Sequence, residues 1–454
     1  MKMRMTRRIG AWCWVAALIP AAAGAQPATA GGERLSLENA VRMAIDSNRQ
    51  LQSARLQLDK AKADVKVARS RRLPVFETQL TGSQLLTPVE FAFSQGAFGN
   101  YPATGPIPSA DTTVTVPRQP TMYIASQVSQ PISQQFRIGL GIDNAAASLD
   151  IERERLRAQE QSVANSVKRV YFAILQTASA LAATDEAIAL YRELDRTLEV
   201  RVAQRVALRS DALDVQLRLA REELTRTTWV NALASQKEQL NQLLGRDLGT
   251  DFTADDIGAA SLVDVDLEAA RSSGLQTRPD LREARLKVTQ ADLDRRLTKA
   301  GRIPDVSVAA SYISNFNMNM MPTNLTTVGI QLKWEPFDWG RRGQELAAKA
   351  STVQQARLAV RDAEDRAVME INSRFRTLAE KRALLAVARM SQSSAREKLR
   401  VKTNQYQLQA ALLPDVLQVR AELAGANDSY QQALLGFWTA KADYDLAAGE
   451  DVRR

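Results

Sequence analysis

The chain has 454 residues, 45% of them hydrophobic and 24% charged, with 60 Lys and Arg against 51 Asp and Glu, one cysteine and no histidine. Without histidine, and with a single thiol, it lacks the usual zinc, copper and haem ligands and the usual acid–base and nucleophile pairs. No catalytic residue, metal site or cofactor is therefore expected, and an enzyme is the least supported class. The net charge of +9 is interspersed rather than gathered into the basic patch that nucleic acid requires, so no nucleic-acid partner is expected.

Residues 1–25 begin basic (Lys2, Arg4, Arg7, Arg8), run apolar from Ala11 to Ile19 and end in Ala23-Gly24-Ala25, the pattern of a secretory signal peptide with a small-residue cleavage site. A mature chain starting near Gln26 is expected, with Ala28-Thr29-Ala30 as the other available site. Cys13 would leave with this segment, and the bulky Trp12 before it does not suit a lipid acceptor. Removing the four basic residues leaves 56 Lys and Arg against 51 Asp and Glu, a net charge of +5. No later run of 18 apolar residues occurs, so a mature chain in a membrane would have to use strands.

Two structural repeats follow, over 26–250 and 251–454. A shift of 230 superposes residues 37–74 on 267–304 without a gap, matching Leu37/Leu267, Ala40/Ala270, Leu51/Leu281, Arg55/Arg285, Leu56/Leu286, Ala61/Ala291 and Pro74/Pro304. A shift of 204 then matches Leu208, Asp211, Leu213, Val215, Ala220 and Gly245 with Leu412, Asp415, Leu417, Val419, Ala424 and Gly449. Each repeat reads as helices, two strands and two long helices. The strands are expected at about 74–86 and 121–132, then at about 304–316 and 325–337.

Period-two alternation carries the strand assignment. Val306, Val308, Ala310, Tyr312 and Phe316 alternate with Asp305, Ser307, Ser311 and Asn315, and Val328, Ile330, Leu332 and Trp334 alternate with Thr327, Gly329, Gln331, Lys333 and Glu335. The first repeat is weaker, with Phe76, Thr78 and Leu80 on one side and Met122, Ile124 and Val128 on the matching side. Segments of about 10 residues with one apolar and one hydrophilic face suit a barrel wall between lipid and water. Residues 87–120, rich in Pro, Gly and Thr, read as a long external loop. The second turn holds Met318, Met320 and Met321, which could be soft ligands for Cu(I) but are expected to be incidental.

The long helices are expected over about 134–245 and 340–448. No Gly occurs from Ile142 to Leu244 or from Gln344 to Ala424, giving helices about 90 Å long before breaks near 204–211 and 404–414. Leu149, Leu156, Val163 and Val170 recur every seven residues, as do Val167, Ile174, Leu181 and Ile188, which makes narrow coiled-coil seams.

The stretch Trp334-Glu335-Pro336-Phe337-Asp338-Trp339-Gly340-Arg341-Arg342 joins the last strand to a long helix. It resembles the strand-to-helix connection of the TolC family of outer-membrane efflux proteins, and the duplication and element order are similar over nearly the whole chain after Arg34. The resemblance implies a fold that is mainly α with a membrane β-barrel portion: a homotrimer with a 12-stranded barrel in outer-membrane lipid and a periplasmic tube of helices. It implies a passive exit duct fed by an inner-membrane pump through a periplasmic adaptor protein. Two departures stand out. The first-repeat connection, 129–141, keeps Pro131 but lacks Phe-Asp-x-Gly, and the helical tips carry Ala207 and Ala410 where the family often has Gly.

The resemblance also supplies site expectations. Asp415 and Tyr406 match positions at the constricted entrance, Asp211 is the repeat equivalent of Asp415, and Gln418 stands where the family has a second carboxylate. The bland reading is that each Asp caps the helix it begins. Val206, Ala207, Leu208 and Arg209, with Ala410, Ala411, Leu412 and Leu413, are the expected adaptor contacts by position, and Trp334, Phe337 and Trp339 the expected membrane-interface aromatics. The outer channel of a type I secretion system and a soluble periplasmic coiled-coil scaffold are the alternatives.

Overall fold

A computed structural model describes residues 33–257, 265–317, 322–408 and 410–450, with only the backbone of Leu413 and Pro414. The expected signal segment and the Met318, Met320 and Met321 cluster lie outside the described residues. In chain order the elements are β1 (Glu33–Leu35), α1 (Leu37–Ser47), α2 (Arg49–Ser70), β2 (Val75–Gln84), β3 (Val89–Phe93), β4 (Asn100–Tyr101), β5 (Gly105–Pro106), β6 (Thr112–Val116) and β7 (Pro120–Pro131). Then come α3 (Gln135–Ala203), α4 (Arg209–Leu244), β8 (Phe252–Ala254), α5 (Leu267–Thr277), α6 (Pro279–Ala300), β9 (Asp305–Phe316), β10 (Asn324–Lys333), α7 (Arg341–Gln407) and α8 (Leu413–Ala447).

The four long strands form one antiparallel sheet in the order β10-β9-β7-β2, so β10 and β2 are free edges. Helices form a matching layer. Near the sheet the packing order is α2-α3-α6-α7, and beyond the mid-point it is α4-α3-α8-α7. At 69 residues, α3 is about 100 Å long, and no described helix is apolar enough to cross a membrane.

The core is a belt across the middle of the helix layer. There the short elements pack on α3 and α4 through Leu35, Ala40, Ala44, Leu51, Val167, Tyr171, Leu240 and Phe252. A second cluster, around Ile371, Phe437, Tyr444 and Ala447, does the same for α5, α7 and α8. Both seam sets contribute: Val163, Val167, Val170, Ile174 and Ile188 are buried, whereas Leu149, Leu156 and Leu181 are half-buried.

The duplication is visible in individual bonds. Arg55 donates to the Ile45 carbonyl at 2.7 Å and Arg285 to the Leu275 carbonyl at 3.1 Å, the same bond one repeat apart. Leu51 and Leu281 are both fully buried. Gly245 and Gly449 end α4 and α8 with φ +71° and +72°, and a Cβ on them would lie 2.2 Å from the Ser47 carbonyl oxygen and 2.6 Å from Thr277 Oγ1. Each thus closes its repeat against the equivalent helix turn, where any side chain would collide.

Two features differ from the sequence expectation. Residues 87–120 are not simply loop: β3 and β6 form an antiparallel hairpin with Val89, Phe91 and Phe93 opposite Val116, Val114 and Thr112, and β4 pairs with β5 at its tip. The start of the first repeat also pairs in parallel with the start of the second, Glu33 to Leu35 against Phe252 to Ala254, too short to leave a period in the sequence.

Candidate functional site

Register decides what the sheet can do. In β10–β9, Val328 pairs with Ala310, Ile330 with Val308 and Leu332 with Val306; in β9–β7, Phe316 pairs with Met122 and Ala310 with Val128; in β7–β2, Val128 pairs with Phe76 and Ile124 with Leu80. Directly opposed residues share a face. The apolar sets of four separate strands therefore fall on one face, broken only by small or polar residues such as Thr78, Ser126 and Gln130, and Gln79, Gln127, Ser311 and Gln331 occupy the other. A one-residue slip in any pair would have mixed the two.

The passage from β10 into α7 is built by charge and backbone together. The Asp338 carboxylate accepts from the Gly340 and Arg342 N–H groups, both at 3.1 Å, while Arg341 and Arg342 donate to Glu335 at 2.8 and 2.9 Å. Burial would raise the Asp338 carboxyl, but those two N–H groups, with the neighbouring guanidiniums, hold it below its ordinary value. Trp339 (φ +55°) and Gly340 (φ +84°) both take left-handed backbone to make the turn. Trp334, Phe337 and Trp339 are exposed, and the Phe337 and Trp339 rings meet edge to face at 4.8 Å. The first-repeat connection, lacking the aspartate, uses Ser133 instead: its hydroxyl donates to the Pro304 carbonyl at 2.6 Å and accepts from the Val306 N–H at 2.8 Å.

At the far end of the helix layer, α3 turns into α4 and α7 into α8 with one backbone design. Val206 N–H reaches the Arg201 carbonyl at 2.9 Å, and its repeat equivalent Ala410 reaches the Gln405 carbonyl at 2.8 Å, the long bond of a Schellman closure. In the first turn the left-handed residue is Arg205 (φ +58°) rather than Ala207. Val206, Leu208, Arg209, Ala410 and Leu412 are exposed; Ala207 and Ala411 are half-buried. Of Leu413 only the backbone is described.

Asp211 and Asp415 occupy the same position, third in α4 and third in α8, and both are exposed. The Asp415 carboxylate accepts from the Leu412 N–H at 3.2 Å; Leu412 has no acceptor to return, so this is half of a capping box. Asp211 accepts from Ser210 Oγ at 3.4 Å. Capping thus accounts for part of Asp415, and the remaining acceptor capacity faces solvent. Tyr406 lies in the last turn of α7, 43% exposed, across the turn from Asp415. Gln418, also exposed, donates to Glu422 at 3.4 Å, so a carboxylate absent at 418 is present one turn further on. Sequence reasoning missed Glu422 because it compared single positions; an i,i+4 search would have found it. Among the described residues no group of Asp or Glu is placed to hold a metal ion.

The protein-family model described as outer membrane efflux protein matches residues 40–246 and 270–449. Among solved structures, the chain is similar to the Campylobacter jejuni CmeC outer membrane channel, with TM-score 0.73, 16% identity, and 91% of this chain and 85% of that one covered. A Pseudomonas aeruginosa membrane protein gives 0.72, 17%, 91% and 90%, and the Vibrio cholerae outer membrane protein VceC gives 0.68, 17%, 91% and 96%. At such identities the likeness is one of fold. A comparison with curated protein sequences finds no significant match.

Proposed function

The chain belongs to the outer membrane efflux protein family and is an outer-membrane protein with a large periplasmic helical portion. From that premise we propose that three copies assemble into an exit duct, passively carrying substrates delivered by an inner-membrane pump through a periplasmic adaptor. The observation that carries the reading is the coincidence of open edges. The sheet ends in β10 and β2 and the helix layer in α7 and α4, so β10 and α7 lie on one side of the chain and β2 and α4 on the other.

Strand edges cannot be left unpaired in hydrocarbon. One repeated contact, β10 with α7 against the next copy's β2 with α4, closes both layers together. Two copies would give eight strands, whose interior side chains fill; three give twelve, wide enough for a lumen. The free helices carry the matching surfaces. Leu213, Leu217, Ala220 and Leu224 make an exposed stripe on α4, and Ala383, Val387, Met390 and Val401 one on α7. Asp211, Asp415, Tyr406, Gln418 and Glu422 would then ring the periplasmic mouth, where carboxylates favour cations. No enzymatic activity is proposed.

The test is the native mass of the protein extracted in mild detergent from separated outer membranes, followed by planar-bilayer recording. A particle of three chains that conducts is expected. A monomer from the soluble periplasm would overturn the reading.

A further inference from the structure

Both repeats carry the same charges where their second helix runs into a strand. At the shift of 230, Lys66 of α2 falls on Arg296 of α6, Arg69 on Lys299 and Arg72 on Arg302, followed by Leu73 on Ile303. Residue types between them drift, with Val65 replaced by Arg295 and Arg71 by Gly301. Positive charge thus persists at i, i+3 and i+6 while Lys and Arg exchange. All six cations are exposed, and none has an ion pair or a side-chain hydrogen bond among the described residues. Leu73 and Ile303 beside them are 62% and 45% exposed. A base in the last turn suits the carbonyl end of a helix, which accounts for Arg69 and Lys299 alone. Helices α1, α4, α5, α7 and α8 end without one.

Ion pairs fix the side of the helix layer on which the cations stand. Arg137 of α3 pairs with Asp305 at 3.0 Å, and Asp305 shares the hydrophilic face of the sheet with Ser311. Arg155, five turns further along α3, lies on that same side and pairs with Glu283 of α6 at 3.0 Å. Arg285 leaves α6 on the opposite side, donating to the Leu275 carbonyl of α5, and Arg296 and Lys299 follow it by three and four turns. Arg55, Lys66 and Arg69 repeat this spacing on α2. The cations therefore continue the apolar face of the sheet. Carboxylates on their side are largely spent: Asp59 pairs with Lys62 and Asp292 with Arg295, both at 2.7 Å, leaving the unpaired Asp143 against six cations. Asp64 and Asp294 belong to the other side, where Asp294 meets Lys349 at 3.7 Å.

We propose that each triad binds the phosphate of an anionic phospholipid in the periplasmic leaflet, with Leu73 or Ile303 against the start of its acyl chains. The proposal rests on the lipid-facing side of the sheet and not on the exit duct. Position and charge commit the occupant. Arg72 and Arg302 immediately precede the strands, at the end of the sheet where Trp334, Phe337 and Trp339 are exposed. Lys66 and Arg296 lie about 9 Å further from the sheet, within a Debye length of the same headgroups and on stems long enough to reach toward them. Cargo in a duct would pass on the opposite side of the helix layer, and lipid of the outer leaflet lies at the opposite end of the strands. A soluble phosphate ester shares the headgroup chemistry but has no chains for Leu73 and Ile303 to cover.

The test titrates the purified full-length protein in detergent with dioleoylphosphatidylglycerol or dioleoylphosphatidylcholine and counts retained lipid by native mass spectrometry. Phosphatidylglycerol is expected to be held about tenfold more tightly, with the preference largely lost when salt is raised about tenfold. Replacing all six cations with Gln is expected to abolish the preference. Replacing one triad alone, as Lys66→Gln, Arg69→Gln and Arg72→Gln, is expected to halve the phosphatidylglycerol retained, a readout that stands even if the six-fold variant does not assemble. Arg218→Gln with Arg221→Gln, exposed cations on α4, is expected to change nothing. Equal retention of the two lipids by the wild type overturns the proposal, as does a preference that survives in the triad variants or falls equally in the α4 variant. Glycerol 3-phosphate bound as tightly as the lipid would make the triads a site for a soluble phosphate ester and overturn the membrane assignment. A conducting three-chain particle without lipid preference fails this proposal alone; a non-conducting monomer fails the exit duct.

Discussion

Tyr171 shows how one side chain holds the junction of the two repeats together. Fully buried on α3, it shares its hydroxyl between the Leu35 carbonyl at 2.7 Å and the Asp255 carbonyl at 2.8 Å, fastening the start of the first repeat and the start of the second to the long helix. Tyr171→Phe leaves the Asp255 carbonyl without this donor and the Leu35 carbonyl with the Asp255 N–H alone, and is expected to cost about 1–3 kcal/mol, read as a lowered midpoint in chemical denaturation. Burial, with the nearby Asp255 charge, pushes the phenol up to about 12. The folded state thus holds this proton more tightly than the unfolded one. Its stabilisation is full below the ordinary phenol value of about 10 and is lost as pH rises to about 12, a decline that Tyr171→Phe should not show. Asp415 is the residue-scale test of the mouth. Asp415→Asn keeps an acceptor toward Leu412 N–H while removing the charge, and Asp415→Ala removes both. Both are expected to shift ion preference away from cations in bilayer recordings, and only the alanine to loosen the α8 start, by about 1 kcal/mol. Unchanged selectivity in both would take Asp415 out of the pore.

At the scale of elements, parity is the property on which the wall depends. Ile330 sits opposite Val308 on the apolar face and Gln331 opposite Ser307 on the other. A charge on the lipid side of a barrel costs about 2–4 kcal/mol at mid-membrane. Ile330→Lys is accordingly expected to reduce assembled protein in outer membranes while the adjacent Gln331→Lys does not; equal tolerance would mean that the face is not against lipid. The alternation behind this was legible in the sequence because half-buried strands must repeat every two residues, and the helices because a seam must repeat every seven. The β3–β6 hairpin was legible in the same way, in Val89, Phe91 and Phe93 against Glu90 and Ala92, but the surrounding Pro and Gly obscured it. The β1–β8 pair was not, since three residues carry no period and their partners lie about 220 positions away. Nor was the Arg205 backbone: the resemblance directed attention to Ala207, whereas the closing bonds put the left-handed residue two positions earlier.

At the scale of the molecule, the single chain is an incomplete object. Its sheet and helix layer stop at edges that none of the described residues covers, and the same two sides are open in both. Covering the sheet edges alone could be left to backbone hydrogen bonds, which are indifferent to side chains, so the helix stripes give the sharper test. Leu213, Leu217 and Leu224 recur on one face of α4 and are 55%, 49% and 69% exposed, so replacing them costs the lone chain little of its own core. In a closed assembly each would be buried against the next copy's α7, and a carboxylate there would be desolvated without a partner. The Leu213→Asp, Leu217→Asp and Leu224→Asp variant is therefore expected to keep the helix content of the protein by circular dichroism and to lose the three-chain particle in native mass measurements. If it still assembles as three chains, the α4 stripe faces solvent or lumen rather than its neighbour, and the closure of the tube must run through other helices. If it loses helix as well as mass, the monomer has no independent stability, and assembly and folding are one event.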